Sequence, residues 1–184
     1  MKNFTFITKD ATKYWKKEVS SKKGRLQIAT NGDKIYIVNS YNAFIIPNNA
    51  ALYALLVQPA TLMPAPEDGA AHIWINGDFR KDSAASTVSM IENTLSASGN
   101  PVSRSGFIID GKNNDQLRVF KLSDGSLSSI NIKYDAMLDF SLPYSATMKN
   151  TKAPAVFRSG DFTGILLPVF FPELSNRVRD LLGV

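Results

Sequence analysis

Apolar residues in this chain come in short runs, and most runs end at a Gly-, Asn- or Pro-containing turn signal. That pattern suits short strands and a few helices joined by turns. Residues 26–30 alternate apolar and polar, Asn31-Gly32 is a tight-turn pair, and 35–38 is a β-branched and aromatic strand. A turn at 39–42 leads into 43–46, which ends at Pro47. Further strands are expected at 72–75, 107–109, 117–122, 129–132, 154–157 and 163–168. Their turns fall at Asn76-Gly77, Asp124-Gly125 and Ser159-Gly160-Asp161. Phe4 and Phe6 alternate like the start of a half-buried strand. The stretch 58–69 holds three prolines and reads as a loop, and the Ser/Gly/Pro-rich stretch 96–106 reads as mobile.

Helical spacing is clearest at 9–19, where Thr8 is placed to cap. At 100° per residue, Lys9, Lys13, Lys16 and Lys17 share one side and Ala11, Tyr14, Trp15 and Val19 the other. Trp15 and Tyr14 therefore read as core rather than as platforms for stacked bases. Shorter helices are expected at 50–57, 83–95, 134–140 and 172–182. In the last of these Pro172 suits the first turn and Leu174, Val178 and Leu181 form a stripe.

A chain of 184 residues is one domain, long enough to form its own core without metal or disulfide. Cysteine is absent and there is one histidine, which excludes thiolate zinc sites, cysteine nucleophiles and two-histidine centres within one chain. No apolar run approaches the roughly 20 residues of a membrane span, and the N-terminal residues lack a secretory core, so a cytoplasmic setting is expected. The net charge of +5 is uneven: residues 1–47 carry nine Lys/Arg against three Asp/Glu, whereas 48–115 carry four against seven. A basic first quarter attracts phosphate backbones or other acidic partners.

Candidate chemistry is sparse. His72, at the start of a strand, could act as a base but has no Ser or Cys elbow beside it, and reads as a packed histidine. Glu67-Asp68 lies in a loop without calcium-loop spacing, and Asp78, Asp82, Asp110 and Asp115 would make a two-metal site only if folding gathered them. No phosphate-cradling glycine loop, dinucleotide fingerprint or zinc signature occurs, so no cofactor is expected.

The two ends of the chain echo each other. Residues 7–11 precede 132–136 by 125 positions, each stretch ending a strand and opening a helix. Gly32-Asp33 precedes an apolar stretch ending at Pro47, and Gly160-Asp161 precedes one ending at Pro172, the two prolines again 125 positions apart. Within this echo, residues 26–32 resemble the strand and turn of bacterial DNA sliding clamps, the β subunit of the replicative polymerase, with Asn31 in place of the usual Asp. Residues 130–134 are similar to that family's entry into a helix, with Asp135 where Leu is usual. Residues 154–161 and 166–169 are similar to its closing strands and terminal motif. The resemblance covers about 1–47 and 117–170.

What the resemblance implies is an α+β fold: a DNA-clamp-like, duplicated strand-helix-strand-strand-strand unit with a mid-chain insertion. Residues 1–47 would be the first half, 48–115 the insertion, 116–171 the second half and 172–184 a C-terminal helix. It implies a non-enzymatic DNA- or polymerase-associated accessory protein, of a kind that a phage or mobile element carries, contacting duplex DNA backbone without reading bases. Lys9, Lys13, Lys16 and Lys17 would form the contact stripe, with Lys22, Lys23 and Arg25 beside it. Leu167, Pro168 and Val169 would stand where the family forms a hydrophobic pocket for peptide tails of polymerases. A family chain holds three such domains, so a ring of single domains would need about six copies by symmetry closure. The second helix, with Asp135 and Asp139 against Lys133, departs from a DNA-lining face. That favours the alternative of a protein-interaction module without DNA binding. A small enzyme using carboxylates of the insertion is a third reading.

Overall fold

The computed structural model describes residues 5–97 and 99–182, leaving Phe4 and the side chain of Leu181 outside the described residues. Helix α1 (Lys9–Ser20) is followed by strands β1 (Arg25–Asn31), β2 (Lys34–Asn39) and β3 (Asn42–Pro47). The middle of the chain supplies helices α2 (Ala50–Leu56) and α3 (Gln58–Thr61), strands β4 (Ala70–Ile75) and β5 (Asp78–Ser83), helix α4 (Ala85–Ser96) and the long strand β6 (Asn100–Asp110). Strands β7 (Gln116–Leu122) and β8 (Leu127–Asn131) lead to the short helix α5 (Ile132–Asp135). Strands β9 (Ser145–Met148), β10 (Ala155–Ser159) and β11 (Phe162–Leu166) and helix α6 (Leu174–Leu182) complete the described chain.

All the strands join one 11-stranded antiparallel sheet in the order β5-β4-β1-β2-β3-β11-β10-β9-β6-β7-β8. Two meanders, β1-β2-β3 and β9-β10-β11, meet where β3 pairs with β11, Ile45 opposite Thr163 and Asn42 opposite Leu166. Both faces of this centre are covered, so β2 and β3 read as nearly continuous apolar runs. Leu26, Ile28, Ile37, Phe44 and Phe157 point into the core beneath α1 and α2. Ala29, Tyr36, Val38, Ile45 and Ile165 point the other way, where α4 contributes Ile91. Further along, α6 sets Leu174 and Val178 on Ile109, Leu117 and Val119.

Helix α1 starts where expected. The Thr8 hydroxyl accepts from the Asp10 N–H at 3.2 Å and donates to Ala136 O at 2.8 Å, tying the cap to the second half of the chain. Trp15, fully buried, meets the Phe44 ring edge-on at 5.5 Å. The chain leaves α1 through Gly24, whose main chain passes so close to the helix end that an added Cβ would sit 2.0 Å from Glu18 O.

Several expectations are corrected. Ile7 makes an isolated bridge to Leu138, and Phe6 beside it lies in no strand. The proline-rich stretch after residue 57 contains α3. The stretch read as mobile is mostly strand: β6 begins at Asn100, pairs with β9 and β7, and takes up its irregularity as a bulge between Arg104 and Ile108. Strands β5 and β9 were not expected at all. The helix expected at 134–140 is the single turn of α5, and α6 starts at Leu174 rather than Pro172. The Gly-Asp echo does not mark equivalent places: Gly32 turns β1 into β2, whereas Gly160 turns β10 into β11.

The crowding at Gly24 gives a stability test. Gly24→Ala forces backbone apart from backbone and should cost about 1–3 kcal/mol. Thermal unfolding should show a melting point lower by several degrees for a chain of this size; an unchanged melting point would mean the approach is looser than described.

Candidate nucleic-acid interface

Helix α1 lies on one face of the sheet with its apolar side down. Lys9, Lys13, Lys16 and Lys17 are all exposed on the upper side, within an arc of about 100° at 3.6 residues per turn. Lys13 donates to Asp10 at 2.7 Å, an exposed pair that restrains the lysine little. The other acid of the helix, Glu18, is turned aside: its carboxylate accepts the Arg25 main-chain N–H at 2.9 Å. Lys22 and Lys23 are exposed in the turn that follows.

Arg25 does not join this group. Strand residues alternate faces, and Leu26 and Ile28 point into the core beneath α1. Arg25 and Gln27 therefore point to the opposite face, where they line a cavity with Ser86 and Thr87 of α4. The alternation of 25–28 is the signal that separates Arg25 from the lysines.

The second helix is not the acidic surface its composition implies. Asp135 is buried, and its carboxylate accepts from Arg104 Nε at 2.9 Å and Nη2 at 2.6 Å, with Arg118 Nε at 3.4 Å. Arg104 also stacks on Phe140, 4.5 Å from the ring centre, and Arg118 donates to Gly106 O at 3.0 Å within the bulge of β6. Asp139 is spent on a turn, accepting from Ser141 N and Oγ. What α5 presents outward is Lys133, exposed, with its Nζ 4.9 Å from the Tyr134 ring centre.

Aromatic rings bridge the two helices. Tyr14 meets Tyr134 edge-on at 5.6 Å, and Tyr41 stacks on the same ring at 5.6 Å while remaining half exposed. Burial first, then the adjoining Tyr134 and Glu18, push the Tyr14 hydroxyl far above its ordinary pKa and keep it neutral. Lys133 and Tyr41 thus flank α1, although the sequence sets Lys133 against two acids and gives no sign of Tyr41. Only contacts between residues distant in the chain bring them there.

Leu167 is exposed and borders a cavity of about 180 Å³ beside α4, while Val169 is bonded to the edge strand β8 through Val169 N–H to Ser129 O at 2.7 Å. The aspartates weighed as metal ligands lie far apart in the sheet: Asp78 and Asp82 on the edge strand β5, Asp110 and Asp115 near the β6–β7 end. Among the described residues no three acidic or histidine side chains gather to hold a metal. Among them too, no helix is long and apolar enough to cross a membrane.

His72 is buried, edge-on to Trp74 and Phe79 at 6.1 and 5.4 Å, and among the described residues its Nδ1 has no partner. Burial, and then Lys81 on the neighbouring strand, lower its pKa below the ordinary 6.5. Unfolded chains therefore take up this proton at a higher pH than folded ones, and stability falls as pH drops below about 6.5. Urea unfolding at pH 7 and pH 5.5 should show that loss, and His72→Phe should reduce it; an equal loss in the variant would assign it to other groups. For the arginine pair, Asp135→Ala leaves two guanidinium groups without their anion. It should cost about 3 kcal/mol, the lower end for a broken buried pair because Arg104 is a quarter exposed. Chemical denaturation reads this directly.

The sequence matches no known protein-family model and no curated protein. Among solved structures the chain is similar to a protein from Eubacterium rectale ATCC 33656 provisionally described as a DNA polymerase III beta subunit. The identity is 11% and the TM-score 0.34, over 88% of this chain and 63% of that one. The chain thus spans less than two thirds of that protein's length.

Proposed function

We propose that this chain is a non-enzymatic accessory protein that rests on nucleic-acid backbone through the exposed face of α1, on a duplicated clamp-like scaffold whose two meanders are the two copies. The observation that carries the reading is the alignment of Lys9, Lys13, Lys16 and Lys17 on a helix face turned away from the sheet, where the exposed Asp10 meets Lys13 while Glu18 and Asp135 are engaged elsewhere. Lys22, Lys23 and Lys133 extend the positive surface on either side.

The mechanism is electrostatic. Each phosphate neutralised by a lysine releases condensed counterions, so the favourable term is largely the entropy of those ions. Flexible ammonium groups on a helix surface hold phosphates as point charges and present no planar fork to a base edge, so binding is indifferent to sequence. Persistence on DNA would require self-assembly into a ring or a tether to a polymerase-type partner. The solution mass of the chain separates these.

A second reading keeps the scaffold and drops the nucleic acid. The apolar cavity bordered by Leu167 favours it, because such a surface suits a protein partner better than a phosphate.

The nucleic-acid reading is tested by fluorescence anisotropy of a labelled 20-base-pair duplex at several salt concentrations. About four phosphate contacts give a log–log slope between −3 and −4. The triple variant Lys13→Glu, Lys16→Glu, Lys17→Glu should bind at least tenfold more weakly and with a shallower slope. Binding that ignores salt, or that the variant leaves unchanged, contradicts the reading.

A further inference from the structure

The turn between β2 and β3 consists of Ser40 and Tyr41, and a buried amide pair holds it. The Asn39 side-chain oxygen accepts the main-chain N–H groups of Tyr41 at 2.8 Å and Asn42 at 3.0 Å. The Asn39 amide donates to Asn42 Oδ1 at 2.7 Å. From the other side Leu167 N–H donates to Tyr41 O at 3.0 Å. With both of its main-chain groups bonded, Tyr41 presents its side chain in one fixed place. That side chain is aromatic and 52% exposed.

One face of the Tyr41 ring lies on Tyr134, with 5.6 Å between centres and the planes 20° from parallel. Among the described residues no second ring and no cation lies against Tyr41. Two lysines stand close by. Lys133 Nζ is 4.9 Å from the centre of the same Tyr134 ring. Tyr14, which meets Tyr134 edge-on at 5.6 Å, sits about one helical turn before Lys17. Both lysines are exposed. The neighbouring acids are occupied: Glu18 accepts the Arg25 main-chain N–H, and Asp135 is locked between Arg104 and Arg118. Tyr41 is therefore a fixed, flat, half-open ring beside cations, on the flank of the lysine face of α1.

We propose that Tyr41 is a stacking platform for an unpaired base, so that the lysine face of α1 takes single-stranded nucleic acid with one base laid on the Tyr41 ring. The proposal rests on the nucleic-acid reading of α1 and adds to it the strandedness of the ligand. Every base has a flat face that covers an aromatic ring whatever its identity, so stacking leaves binding indifferent to sequence. Bases inside a duplex are stacked on their neighbours, so a duplex meets the lysines alone. A phosphate on Lys133 and a base on Tyr41 would gather around one Tyr134 ring, within reach of a single nucleotide.

The test follows the anisotropy of three labelled probes with the whole chain. They are a twelve-nucleotide thymidine strand, a strand of the same length with abasic residues throughout, and the 20-base-pair duplex. The two strands carry equal phosphates, so any difference between them reads the bases. The native chain should bind the thymidine strand about fivefold more tightly than the abasic one, or better. Tyr41→Ala and Tyr41→Leu should remove that advantage, Tyr41→Phe should keep it, and all three should leave duplex affinity unchanged. Where Tyr41→Ala lowers the melting temperature, Tyr41→Leu, which keeps an apolar cover on Tyr134, carries the result. Lys16→Glu with Lys17→Glu should weaken all three probes together. Three outcomes overturn the proposal while leaving the nucleic-acid reading intact, provided that binding still falls with salt. These are equal affinity for the two strands, an advantage that survives Tyr41→Leu, and a loss in Tyr41→Leu that is the same for strand and duplex. No salt-dependent binding of any probe overturns both.

Discussion

The pairing of β3 with β11 is the interaction on which the rest of the molecule depends. It joins residues as far apart in the chain as Ile45 and Thr163, and without it the sheet would fall into a five-stranded and a six-stranded piece. Its register sets Phe44 on the face where Trp15 docks and Ala43 and Ile45 on the face beneath α4. A one-residue slip would exchange those faces and leave α1 without its anchor. Pairings of this separation carry a large loop-closure cost and form late, after the local hairpins. The cap of α1 bonds to Ala136, so the orientation of the lysine face also relies on the two halves being joined.

The parts legible in the sequence are those whose signals are local. Helix α1 announced itself by a capping threonine and a clean division of lysines from apolar residues, and β1 to β3 by alternation and turn pairs. What stayed hidden has distant causes. Strand β5 is exposed throughout, so its residues carry no alternation, and it is a strand because β4 offers an edge. Strand β6 contains serine, glycine and proline, yet β7 and β9 hold it on both sides. Asp135 looked like a surface acid because its arginine partners lie 31 and 17 residues away. Arg25 is the instructive miss: strand parity alone assigns it to the face of Gln27, while its nearness in sequence to Lys22 and Lys23 hid that.

The two faces of the sheet thus carry different chemistry. One bears a helix with four exposed lysines, of which Lys13 meets the exposed Asp10, an arrangement suited to a polyanion. The other, built by α4 from the middle of the chain, bears the apolar cavity bordered by Leu167. Buried ion pairing serves this division: locking Asp135 between Arg104 and Arg118 removes a negative charge from the helix face beside α1 and satisfies carbonyls freed by the bulge of β6.

Lysine reactivity measured with and without duplex DNA tests the central claim most directly. Brief acetylation followed by mass spectrometry reads every lysine in one experiment. The account predicts that DNA shields Lys9, Lys13, Lys16 and Lys17 strongly and leaves Lys81 and Lys149 as reactive as before. Shielding spread evenly over the surface, or confined to the α4 side, would contradict it.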